Sequence, residues 1–173
     1  MRQTMYDLRL SDPTLATWAL LRQAWSFMNK AAETKLAKVH LTPEKLGVLW
    51  ICRDFPGTIT TAELSRYMSR QSQSITGLLN RMEQEGLIGR VPKRKGQPFT
   101  ELKLTTKGQE ACDAGASVIK ALIQDTAQVL STGDREQLHG FLVALRDHMA
   151  DMLHIELTPP PDVAPDETID VKW

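Results

Sequence analysis

Between Pro56-Gly57 and Gly86 the chain has room for two short helices and a turn, and for nothing longer. Proline withholds a backbone donor and glycine readily takes left-handed conformations, so both punctuate a helical run. Inside those limits, Thr60-Thr61-Ala62-Glu63 has the S/T-x-x-E spacing of a capping box and opens the first helix. Leu64, with Tyr67 or Met68, supplies its inner face, and Ser69 to Gln71 makes the turn. Ile75, Leu78, Leu79 and Met82 then fall at i, i+3, i+4 and i+7, one apolar stripe that ends at Glu85-Gly86. Two short helices, a tight turn and a stop are the layout of a helix-turn-helix.

The flanks extend this unit. After Asp12-Pro13 a helix is expected to about Lys38, with Leu15, Trp18, Leu20, Leu21, Trp25, Phe27 and Met28 covering nearly every side. A helix apolar all round is buried on several sides, which in a chain of 173 residues points to a clasp by a second subunit. Thr42-Pro43 restarts a short buried helix that ends near Asp54. Beyond Gly86, Leu87–Arg90 and Phe99–Leu104 read as a β-hairpin, because "TELKL" alternates apolar and polar. Thr105-Thr106-Lys107-Gly108 opens a helix to about Leu130, with Val118, Ile119, Leu122 and Ile123 inside. Asp134 opens the last helix, striped by Leu138, Phe141, Leu142, Leu145, Met149, Met152 and Leu153.

The expected fold class is mainly α with a small β-hairpin wing: a winged helix-turn-helix flanked by N- and C-terminal dimerisation helices. Residues 1–40 form the first dimerisation helix, 41–104 the winged lobe and 105–157 the C-terminal dimerisation helices. Residues 158–173 are a proline-rich acidic tail whose composition favours an extended or disordered chain.

Charge separates these regions. The whole chain is neutral, with 21 Lys and Arg against 21 Asp and Glu. From Thr61 to Lys107, nine cations face four anions, a net +5, whereas from Asp151 onward six acids face Lys172 alone, a net −5. Such asymmetry is a hint of nucleic-acid contact in the middle of the chain. With its stripe turned inward, the second helix offers Gln73, Gly77, Asn80 and Gln84, flanked by Thr76 and Arg81. Asn and Gln can pair with adenine through two hydrogen bonds, and Thr can meet a thymine methyl or a phosphate. A solvated polar face is the plain alternative, and the helix alone does not choose. The hairpin tip adds Lys93, Arg94 and Lys95 in a row. Directly after a helix-turn-helix, three cations read as a wing for a phosphate backbone or a narrow minor groove.

"TAELSRYMSRQSQSITGLLNRMEQEGLIGR", the basic wing and "LKLTTKGQEA" together resemble the MarR-type (multiple antibiotic resistance regulator) transcription factors, from about Leu10 to Leu153. The resemblance implies a homodimer with interlocked terminal helices and two winged helices on an inverted-repeat operator in double-stranded DNA. It implies a repressor of neighbouring genes, relieved by a small aromatic or phenolic effector. DNA contacts carried over are Thr61, Arg70, Ser72, Gln73, Ser74, Thr76, Gly77, Asn80, Arg81, Lys93, Arg94 and Lys95, with Arg94 in the minor groove. Two positions depart from the family: Gly77 stands where many relatives have arginine, and Pro92-Lys93-Arg94-Lys95-Gly96 replaces the common D-x-R wing signature. Trp18, Trp25, His40 and Trp50 are the candidate effector pocket, with core and interface aromatics as the competing reading.

Other chemistries lack a pattern. No phosphate loop, spaced nucleophile and base, or clustered ligands suggest an enzyme, a cofactor or a metal. Cys52 and Cys112 have no motif partner, and His139, His148 and His154 lack i, i+4 spacing. No apolar run spans a bilayer or resembles a signal peptide, so the expected place is the cytoplasm. A protein-binding winged helix with weakened DNA contact remains the alternative, kept open by Gly77 and the acidic tail.

Overall fold

The computed structural model describes residues 6–7, 9–55, 59–69, 72–91, 101–160, 163–164 and 168–169. Among these residues six α-helices and a two-stranded sheet follow in the order α1 (Pro13–Leu36), α2 (Pro43–Asp54), α3 (Thr61–Tyr67), α4 (Ser72–Gln84), β1 (Ile88–Val91), β2 (Glu101–Leu104), α5 (Thr106–Ala127) and α6 (Thr132–Met152). This is the expected class, mainly helical with one antiparallel hairpin.

Side-chain caps set most of the helix starts. Asp12 accepts from the Leu15 amide at 2.7 Å, and Thr42, Thr60 and Thr105 accept from Lys45, Glu63 and Gly108 at 3.2, 3.2 and 3.0 Å. Each satisfies an N-terminal donor the helix cannot use, worth about 1 kcal/mol. At α6 the expected opener, Asp134, instead sits at the third helical position. Ser131 is the cap, and the two form a reciprocal capping box. Bonds from the Ser131 hydroxyl and amide hold the exposed Asp134 carboxyl below its usual range, against a smaller opposing pull from desolvation.

Helix ends depend on the left-handed conformation. Gly86 has φ +70°, its amide bonds Glu83 O, and the next amide bonds Met82 O, closing α4 with Leu87 and Met82 both buried. His40 and His154 take positive φ in the same role, with Leu41 N reaching Leu36 O and Ile155 N reaching Ala150 O. The first helix therefore ends at Leu36 with one 3₁₀ turn, Ala37–Val39, rather than running on to Lys38.

The core is the winged lobe. Leu36, Val48, Leu49, Leu64, Ile75, Leu79 and Met82 are fully shielded and join Leu46, Leu87, Ile88 and Leu102 in one cluster. In the sheet Ile88 pairs with Leu104 and Arg90 with Leu102, one residue later than the expected first strand. The Leu102 amide also donates to Ile59 O at 2.9 Å, tying the segment before α3 to the hairpin. Where α5 crosses this lobe, two glycines are dictated by space. A Cβ on Gly108 would lie 1.9 Å from the Leu87 carbonyl oxygen, and one on Gly115 would lie 2.7 Å from Leu46 Cδ1. Along α1 and α6 burial is confined to Leu36 and Ala150. Trp18, Trp25, Phe27, Phe141, Leu142, Leu145 and Ile123 are all exposed within one chain, Ile123 against its expected inward place. No helix among the described residues is long and apolar enough to cross a membrane.

Candidate nucleic-acid interface

The stripe on α4 is anchored as its spacing requires: Ile75, Leu79 and Met82 are fully buried and Leu78 nearly so. That fixes the rotation of the helix. Gln73, Ser74, Thr76, Gly77, Asn80, Arg81 and Gln84 are left exposed. Six of the expected contacts, joined by Gln84, are thus on one outward surface, neutral except for Arg81. Ser72 is the first residue of α4. Thr61 is half-buried at the start of α3, where its carbonyl accepts from the Ser65 hydroxyl at 2.9 Å. Arg70 and the wing cations Lys93, Arg94 and Lys95 lie outside the described residues, as does the side chain of Ser72.

Gly77 occupies open space, with nothing within 4 Å of where a Cβ would stand. No packing demands it, in contrast to Gly108 and Gly115. A mid-helix glycine costs about 0.5–1 kcal/mol relative to alanine, so this position weakens α4 without helping the core.

Three cations absent from the expected site hold the frame around α4. Lys45 on α2 donates to both carboxylate oxygens of Glu85, at 2.7 and 2.6 Å, and pins the end of α4. Lys107 donates to the Glu85 carbonyl at 2.7 Å. Arg90 on β1 reaches back to α4, donating to Glu83 Oε2 at 2.8 Å and to Asn80 Oδ1 at 2.6 Å. Helical spacing could not reveal these pairs, since the partners sit on different elements. A cleft of about 390 Å³ opens between α2 and α4, lined by Thr42, Lys45, Ser74, Leu78 and Arg81 among others.

The four candidate effector residues are spread over the molecule. Trp18 lines a cleft of about 410 Å³ with Pro13, Thr14, Thr17, Leu21 and Leu145, a lining that does not include Trp25, His40 or Trp50. Trp25 is exposed further along α1, His40 caps the 3₁₀ turn, and Trp50 is half-buried against the lobe core. The two thiols are not activated. Burial pushes Cys52 up to about 12, helped by the neighbouring Cys112. Burial also raises Cys112, to about 11, against the opposing pull of Arg53. Arg53 is a cation the helix pattern did not disclose; it is clamped by Asp54 at 2.7 Å and by Asp113 of α5 at 2.8 Å. A redox sensor needs a lowered thiol pKa, and desolvation here does the reverse.

Residues 41–95 match the MarR family. The HTH-type transcriptional repressor IacR of Pseudomonas putida is 24% identical over 110 residues, which cover 64% of this chain and 65% of IacR. The chain thus spans just under two thirds of that relative's length. Among solved structures, the organohalide-sensing regulator RdhR in its ligand-free form superposes with a TM-score of 0.75 at 19% identity, over 94% of this chain and all of that one. The S. aureus MepR–DNA complex gives 0.67 at 23% identity, over 75% of this chain and 96% of MepR. A mutant of E. coli MarR complexed with operator DNA gives 0.69 at 22%, over 78% and 99%. At these identities the likeness to solved structures establishes the fold.

Proposed function

From the match of residues 41–95 to the MarR family, we propose that this chain is a dimeric, sequence-specific DNA-binding regulator that represses neighbouring genes. The observation that carries this reading is the exposed face of α4. A complete core behind it fixes Gln73, Ser74, Thr76, Gly77, Asn80 and Arg81 outward on a rigid element. Amides and hydroxyls on such a face discriminate base edges, while cations bind any phosphate. In this reading the wing cations Lys93 and Lys95 take the phosphate task and Arg94 enters the minor groove. Two related structures, of MepR and MarR, are complexes with DNA, which supports the same use here.

Dimerisation is supported by the apolar residues left exposed on α1 and α6, among them Trp25 at 67% and Phe141 at 66%. Contiguous apolar surface on this scale marks an interface. Two copies would present two α4 helices to an inverted repeat. Relief by a small aromatic or phenolic effector is supported by RdhR, solved also in a 2,4-dichlorophenol-bound form, and by the cleft at Trp18.

A gel-shift titration against the DNA upstream of the chain's own gene tests the reading. A shifted complex is expected, weakening steeply with salt as counterions are released. No shift at low salt, or equal shifts on unrelated DNA, would sink it. Addition of 2,4-dichlorophenol, read by loss of the shift and by tryptophan fluorescence, tests the effector.

A further inference from the structure

Among the described residues, Asn80 is the one amide on the outward face of α4 that another element holds. Its Oδ1 accepts from Arg90 Nη2 at 2.6 Å, and Arg90 is itself held by Glu83 through Nη1 at 2.8 Å. A guanidinium has donors only, so the atom facing it must be the oxygen; the orientation of this amide is forced by its partner. The charged donor and the short distance mark a stronger bond than a neutral pair makes. Nδ2, on the other branch of the amide, has no acceptor among the described residues.

We propose that Arg90 is a positioning residue that turns Asn80 so that it presents its donor end to DNA. The proposal rests on the reading that α4 enters the major groove. An asparagine free to use both ends prefers adenine, accepting from N6 while donating to N7. With one Oδ1 lone pair committed and the oxygen drawn toward Arg90, the end of the amide that Asn80 offers first is the pair of Nδ2 hydrogens. They fit an edge that presents acceptors, guanine N7 and O6 first, with thymine O4 as the single-acceptor alternative. Adenine would place its N6 donor against the Nδ2 donor. The wing strand thus takes part in specificity without touching a base: β1 sets which half of an amide α4 presents. Glu83 completes the device by offsetting the Arg90 charge, so that the guanidinium is kept on the protein rather than drawn to a phosphate.

Selection of binding sites from random DNA by the full-length protein tests this, with Asn80→Ala marking the operator position that Asn80 reads. The wild type is expected to take guanine or thymine there and to reject adenine. Arg90→Met should raise the relative affinity for adenine at that position by roughly tenfold, with the other positions unchanged. Asn80→Asp keeps an oxygen for Arg90 and removes the donor, so preference should move to cytosine, whose N4 donates. This second variant serves should Arg90→Met fail to fold. Adenine preferred by the wild type at that position, or an unchanged profile in a folded Arg90→Met or in Asn80→Asp, overturns the positioning role alone. No motif selected by the wild type overturns the DNA-reading function itself.

Discussion

The winged lobe and the long terminal helices spend their apolar residues in opposite ways. In the lobe, Leu64, Ile75, Leu79 and Met82 are completely shielded by residues of the same chain. Along α1 and α6, side chains just as apolar stay in water: Trp18, Trp25, Phe27, Phe141 and Leu145. Burying one large apolar side chain stabilises by about 1.5–3 kcal/mol, so the lobe is finished within one copy and the helices are not. The lesson is a division of labour. The lobe sets the geometry of α4 from within one chain, whereas the helical layer leaves apolar side chains that one chain does not cover.

The sharpest way to break this contrast is at the unfinished layer. Trp25→Asp with Phe141→Asp should leave the circular dichroism of the lobe intact and yield monomers in sedimentation. Operator affinity should fall at least about 100-fold, because linked sites gain about 10²–10⁴ from effective concentration. Retained dimers would show that these residues are not the interface. Next in size is truncation inside the lobe. Leu79→Ala should cost about 2–5 kcal/mol in denaturant unfolding. The same change at the exposed Leu138, made in the monomeric background, should stay within about 0.5 kcal/mol.

The thiols sharpen the comparison from the lobe side. Both carry a folded pKa above the ordinary 9.0, about 12 for Cys52 and about 11 for Cys112. The folded state then holds protons that the unfolded state has lost. Their contribution to stability is therefore complete below about pH 9 and lost as pH rises through the folded values. Alkylation in the native protein at pH 8 should be slow and should accelerate on unfolding; equal rates would contradict their burial.

Two smaller effects concern α4 and its surroundings. Gly77→Ala should stabilise the lobe by about 0.5–1 kcal/mol, since the added Cβ meets nothing and helix propensity improves. If the backbone approaches the groove closely at Gly77, the same variant should bind operator less tightly, which gel shifts would measure. The tail sets the last comparison. Residues 155–160 line a cleft of about 810 Å³ together with Glu63, Ser65, Arg66, Tyr67 and Ser69 of the α3 region. Ending the chain after Leu157 removes four acids and one lysine. Low-salt operator affinity should then rise severalfold, with the gain lost at high salt as screening shortens the reach of charge.

Much of this was legible in the sequence because it is local. Thr60, Thr105 and Asp12 cap helices through atoms three residues away, and Gly86 ends α4 within one turn. The stripe Ile75-Leu78-Leu79-Met82 needs only 3.6 residues per turn to predict which face is left outward. The same local logic misjudged Ile123. Periodicity shows that a side chain is apolar, whereas burial depends on whether a neighbour is present, and here one chain does not supply it.

The sequence by itself determined the helix-turn-helix, the rotation of α4 and the neutral character of its outer face. Only the tertiary structure decided how that face is tuned. Asn80 and Arg90 are ten residues apart, and Lys45 and Glu85 forty, and neither pair follows from any helical or strand period. They meet because the reversal at Gly86 folds β1 back along α4 and because α2 packs beside it. Local propensity places donors and acceptors on elements; packing of the elements chooses which of them spend their hydrogen bonds on each other and which are kept for a partner.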